Sequence, residues 1–174
     1  MTKLKSFGFG TPKVTDTNTQ KFILPVSYYA TLESNNDWTT FSQNEGGTSN
    51  VIDNDIGTTL GNIRPVKSLP ITFSSAVTLN SFNATIGIDS TEVTQFNLKI
   101  VKGNITGTGY SCAQIGSDHT VATSSTSTAY GLSASGIDEN FATTEGLWVV
   151  VFATGTLTAD RHAPISISFE FTYQ

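Results

Sequence analysis

The chain is poor in charge: Asp, Glu, Lys and Arg make up 13% of its 174 residues, against roughly 25% in an ordinary soluble domain. It has one cysteine, Cys112, which excludes an internal disulfide and a cysteine-based zinc site and fits a reducing compartment. No stretch nears the ~20 apolar residues of a membrane helix. Residues 1–20 lack the apolar core of a signal peptide, so neither a membrane nor secretion is expected. Basic residues are also few, nine against 14 acids. A net charge of −5 argues against nucleic acid as a partner, because backbone binding needs clustered Lys and Arg.

Hydroxyl and amide groups take the place of the missing charge. There are 28 Thr, 19 Ser and 12 Asn, a mixture that disfavours helices and suits strands and turns. The length suits one domain with a core of its own.

Charge is unevenly placed. Lys3, Lys5, Lys13 and Lys21 against Asp16 give residues 1–25 a charge of +3, leaving −8 on the rest. Residues 1–21, with Phe7-Gly8-Phe9-Gly10 and Pro12, have no periodic apolar face and are expected to be an extended arm. At ~3.3–3.6 Å per residue such an arm reaches about 70 Å. Lys3, Lys5, Phe7, Phe9 and Lys13 are its candidate contact residues; a basic start on an acidic body suits docking on an acidic neighbour and equally a solvated end.

The remainder, 22–174, reads as a single sandwich domain. Phe22 to Tyr29 is a strand that Pro25 confines to an edge or a bend. Residues 33–62 are loop-like. Ile71 to Ile88 alternates, and its phase flips across Asn80-Ser81, which predicts a bulge or a turn. Phe96, Leu98 and Ile100 share one strand face, with Gln95, Asn97 and Lys99 on the other. Between 103 and 136 only short strands around Tyr110–Ile115 and His119–Ala122 are expected, and Asp138–Thr144 could form one helical turn. Leu147 to Phe152 is a continuous apolar run, which predicts a strand buried on both faces. Ile165, Ile167, Phe169, Phe171 and Tyr173 alternate with polar residues in a half-buried strand. About eight strands without an amphipathic helix give an all-β, antiparallel, jelly-roll-like β-sandwich.

Catalytic equipment is sparse, and no enzyme is expected. Asp118-His119 and Asp160-Arg161-His162 place carboxylates beside imidazoles, but no G-x-S-x-G elbow accompanies them, and both fall in polar segments read as lying between strands. Cys112 reads as a small, partly buried residue. Asp53-Asn54-Asp55 offers oxygens of the kind Ca²⁺ accepts, yet lacks the rest of an EF-hand loop. Plain Asx-turn chemistry is favoured for it, and no cofactor is expected. Asn83-Ala84-Thr85 and Asn104-Ile105-Thr106 match the glycosylation sequon by composition. Trp38, Tyr110 and Tyr130 could form a sugar-stacking platform, the favoured alternative being that they cap the ends of the sandwich.

Two resemblances rest on these residues. Val51-Ile52-Asp53-Asn54-Asp55 with Thr58-Thr59, followed by Leu69 to Phe73 and Val77 to Phe82, resembles the first half of galactose-binding-like, discoidin-type domains. That likeness implies a β-sandwich with glycans as ligands. The whole chain, with its Thr/Ser/Asn-rich body, its start Met1-Thr2-Lys3-Leu4-Lys5, its lone cysteine and its ending Ile165 to Phe171, resembles tailed-phage virion proteins of the decoration, cement and tail-fibre type. This second likeness implies a non-enzymatic virion component, made in the host cytoplasm. It also implies a homotrimer bound to a major capsid or tail protein.

Overall fold

A computed structural model describes residues 20–32, 38–40, 58–60, 63, 69–88, 91–106, 111–124 and 128–174. Among them are nine strands and no α-helix: β1 (Lys21–Leu32), β2 (Thr39–Thr40), β3 (Ile71–Thr72), β4 (Val77–Gly87), β5 (Val93–Asn104), β6 (Ser111–Ala122), β7 (Ala129–Phe141), β8 (Glu145–Gly155) and β9 (Arg161–Tyr173). Lys21, at the end of the segment read as an arm, already pairs with Thr172.

The strands form two antiparallel sheets. The first has the order β1-β9-β4-β7; the second has β2-β8-β5-β6, with β3 also paired to β8. The pairings are nested: β1 with β9, β2 and β3 with β8, β4 with β7, and β5 with β6. Two further pairings, β4 with β9 and β5 with β8, roll this ribbon into two sheets. The result is the double-sheet jelly roll expected from the alternation.

Sequence explains the strand roles. Pro25 has no N–H to donate, and β1 lies at a sheet edge. The phase flip at Asn80 is a bulge, with register shifting between Leu79 and Ser81 while β4 continues. Leu147, Val149 and Val151 of β8 enter the core between the sheets. Trp148 and Val150 pack on the opposite face with Val101 and Ile63, flanked by Trp38, Leu60 and Ile105. Chain outside the strands therefore covers the second sheet, and β8 is buried on both faces. Phe82, Phe96, Phe141, Phe169 and Phe171 are fully buried, each worth about 1.5–3 kcal/mol in burial, so the inter-sheet core carries most of the hydrophobic driving force.

Three expectations need correction. Asp138–Thr144 is not a helical turn: Asp138 to Phe141 end β7, because Phe141 pairs with Val77 and points into the core. The chain then turns to Glu145, whose N–H donates to the Ala142 carbonyl at 3.0 Å. The two short strands around Tyr110–Ile115 and His119–Ala122 are parts of one strand, β6, interrupted by a bulge. Finally, His119 and His162 lie within β6 and β9, not between strands. Edge and solvent-facing ladders accept Ser, Thr and Gly, so weak apolar periodicity did not preclude strands here.

Candidate interaction surfaces

The outer face of the first sheet is built from side chains opposite the core-facing ones, and its pairing aligns them in rows. One row runs Ser27, Ser166, Thr85, Gly131 across four strands; the next runs Pro25, Ser168, Asn83, Ser133; a third runs Ile23, Glu170, Ser81, Ser135. Glu170 is the one formal charge in these rows, and Lys21 pairs with it at 2.8 Å. Ile23 and Tyr29, on the β1 edge, are 60% and 61% exposed. Beside Tyr29 a depression of about 430 Å³ is lined by Ser27, Thr85, Gly87, Pro164 and Ser166. A Cβ at Gly87 would stand 3.0 Å from the Pro164 ring, so glycine keeps the depression open.

The second sheet carries a polar and aromatic cluster on its outer face. Lys99, 6% exposed, sits 4.6 Å from the Trp38 ring centroid and 5.3 Å from that of Phe152. Its Nζ donates to Asp118 at 2.5 Å and to Gln114 at 3.2 Å. Burial opposes ionisation of Asp118, but hydrogen bonds from Lys99 and Gln114 outweigh it and hold the carboxyl below its usual range. Gln95 donates to Asn97, and Asn97 to Thr154 at 3.1 Å. Trp38 stacks on Phe152 with centroids 5.6 Å apart, so it covers a buried ammonium.

Of the candidate sugar-platform residues, the structure does not bring Trp38 and Tyr130 together. Tyr130 is 7% exposed, with its ring 5.6 Å from Phe96 and its hydroxyl donating to the Ser124 carbonyl at 2.7 Å. It belongs to the core, whereas Trp38 lies on the outside of the second sheet. Among the described residues the exposed aromatics are Tyr29 and Tyr173. Tyr110, the pair Asp53 and Asp55, and the arm residues Lys3, Lys5, Phe7, Phe9 and Lys13 lie outside the described residues. Cys112 is half-buried against the Trp148 cluster, and burial pushes its thiol up to about 11.

The third feature is the open side of the sandwich, where edge strands β6 and β7 face each other. Between Leu98 and Ile100 of β5, β6 runs from His119 to Ile115; between Leu79 and Ser81 of β4, β7 runs from Glu139 to Ser135. Each edge strand thus carries two extra residues at its bulge. Gly116 (φ 65°), Gly136 (φ 65°) and Asp138 (φ 51°) take left-handed conformations there. The bulges frame a cavity of about 340 Å³, lined by Ile100, Ile115, Ala134, Ile137, His119 and Glu139. His119 packs edge-on against Phe82 at 4.8 Å. Burial lowers its pKa, and the neighbouring Asp118 charge only partly offsets this.

No protein-family model and no curated protein matches the chain. Among solved structures it is similar to one of infectious bursal disease virus, Gx strain, at 12% identity and a TM-score of 0.41, covering 98% of this chain and 38% of that one. It is also similar to the VP2 subviral particle of infectious bursal disease virus (11% identity, TM-score 0.40, 98% and 37% covered). The empty head of turnip yellow mosaic virus gives 11% identity and a TM-score of 0.30, with 99% and 90% covered. These similar structures are viral capsid proteins, and the chain spans well under half the length of the first two. Identities and TM-scores this low assign no activity or partner to it.

Proposed function

We propose that the chain is a non-enzymatic structural protein of a virion, of the capsid decoration or cement type. It would assemble as a homotrimer against a major capsid or tail protein, with residues 1–21 as an anchoring arm. The observation that carries this reading is the outer face of the first sheet. Three rows of mainly hydroxyl, amide and apolar groups cross four strands there, with a single carboxylate already paired to Lys21. Such a face can be buried against a neighbour at lower desolvation cost than a charged one, and hydroxyls and amides can find new partners across the interface. The exposed Ile23 and Tyr29 add apolar area at its edge. Arm lysines would dock on acidic surface, since the chain beyond residue 25 carries −8.

Solution mass by light scattering tests this. The full chain is expected to associate. Thr85→Lys and Ser168→Glu, which place charges in the middle of the face, should give monomers with unchanged far-UV circular dichroism, and removing residues 1–19 should weaken association. A monomeric wild type, or variants that keep its mass, overturns the self-assembly reading. Glycan binding is the second reading, favoured by the exposed Tyr29 ring beside a hydroxyl-lined depression. A monomer that retains a glycan and loses it on Tyr29→Ala would put that reading first.

A further inference from the structure

The cavity between β6 and β7 differs in kind from the assembly face and does not depend on it. Ile100, Ile115, Ala134 and Ile137 give it an aliphatic wall, three of them packing directly against the inter-sheet core, and Ser135, His119 and Glu139 bring polar groups to the rest of the lining. A cavity of about 150 Å³ with such walls admits benzene; at about 340 Å³ this one has room for a longer molecule. Its size, and an aliphatic wall facing a few convergent polar groups, fit a small-molecule site.

Backbone conformation gives a second line. Bulges bend a strand and re-aim its side chains. Here two of them oppose one another across the cavity, with three residues held left-handed. Two of the three are glycines, for which a positive φ costs little; Asp138 bears roughly 1 kcal/mol of strain. A Cβ at Gly116 or Gly136 would meet nothing within 4 Å, so conformation, not space, calls for glycine there.

Polar groups give the third line. Among the described residues, neither ring nitrogen of His119 has a hydrogen-bond partner, although the ring is half-buried and lines the cavity. The nearby charges are already matched: Glu139 with Lys102 at 2.9 Å and Asp118 with Lys99 at 2.5 Å. An anionic ligand would meet Glu139, and a cationic one would have to displace Lys102. A neutral imidazole can donate to or accept from a hydroxyl group.

We infer that the cavity between β6 and β7 is a binding site for an uncharged amphiphile, an aliphatic chain bearing one hydroxyl, with the chain against the four aliphatic residues and the hydroxyl on His119.

Titrating the full-length protein with octanol at neutral pH, followed by NMR, tests the assignment. Saturable shifts confined to residues of the cavity are expected, with cross-relaxation between the octyl chain and the Ile115 and Ile137 methyls. Ala134→Phe, which fills the cavity, should abolish binding. His119→Leu should weaken octanol about tenfold, the worth of one hydrogen bond, while leaving octane unaffected. Absence of saturable shifts, shifts scattered over the surface, or no cross-relaxation to those methyls overturns the site. Equal octanol affinity in wild type and His119→Leu overturns the role of the imidazole. The cross-relaxation test needs only the wild type, so it stands even if Ala134→Phe does not fold. Self-association plays no part in the readout, so failure here and failure of the virion reading are separately visible.

Discussion

Lys99 on β5 places its Nζ 2.5 Å from a carboxylate oxygen of Asp118 on β6, and the lysine side chain is 8% exposed against 35% for the aspartate. The ammonium is thus the buried partner, held beneath Trp38 and beside Phe152. Removing the countercharge and removing the buried charge should therefore differ. Asp118→Asn leaves the ammonium with Gln114 and two ring faces, and is expected to destabilise by about 2 kcal/mol, less than a fully buried pair because the aspartate is part-exposed. Lys99→Met keeps an unbranched aliphatic side chain beside the rings and should cost less than about 1 kcal/mol. Urea midpoints should rank wild type first, then Lys99→Met, then Asp118→Asn. The opposite order for the two variants would mean that the ion pair does not set the stability of this face.

How far the fold could be read from sequence depends on how each strand is buried. The β9 strand has a core on one side and hydroxyls on the other, so Ile165 to Phe171 advertise their face. The β8 strand has cover on both sides, and its apolar run says so. The Asn80 bulge showed because apolar residues flank it on both sides and reveal the change of phase. The bulges of β6 and β7 hide their strands for the same physical reason in reverse. At 116–118 (Gly-Ser-Asp) and 136–138 (Gly-Ile-Asp) three residues stand opposite one of the neighbouring strand, and no long apolar run on either side shows it. His119 consequently reads as the start of a weak short strand in a polar segment, and its inward turn comes only from its pairing with Leu98. The rows on the first sheet were illegible because Ser27, Ser166, Thr85 and Gly131 meet only through pairing between segments far apart in sequence. Trp38 reads from sequence only as an aromatic, because its neighbours Phe152 and Lys99 lie more than 60 residues away in sequence.

Gly103 on β5 shows how closely the outer layer of the second sheet is packed. A Cβ there would stand 2.7 Å from Cys112 Sγ, 2.9 Å from the Ser111 carbonyl oxygen and 2.9 Å from the Trp148 ring. Gly103→Ala is expected to destabilise by about 1–3 kcal/mol through overpacking. Adding Cys112→Ala removes the nearest obstacle but leaves the carbonyl and the ring, so the double variant should recover only part of the loss. A thermal melt in which Gly103→Ala alone matches the wild type would show that β6 can shift away at no cost.

His119 sets the response of stability to mild acid. Burial holds its pKa in the folded protein below the ordinary value of about 6.5, so as pH falls the unfolded chain takes up the proton first. The unfolded state then binds more protons than the native one, and stability falls with pH. The contribution is complete above about pH 6.5 and is lost as pH drops through the unfolded value towards the folded one. Glu92 and Asp118 do not confuse this window. Glu92 is held low by hydrogen bonds from the Thr158 side chain and backbone, aided by Arg161, and Asp118 is held low by Lys99 and Gln114 despite its burial. Their losses begin only near the ordinary carboxylate values of about 4. The urea midpoint of the wild type is therefore expected to fall between about pH 7 and pH 5, while His119→Leu stays flat over the same interval. Parallel curves for the two proteins would place the titrating group elsewhere and leave His119 without a part in acid sensitivity.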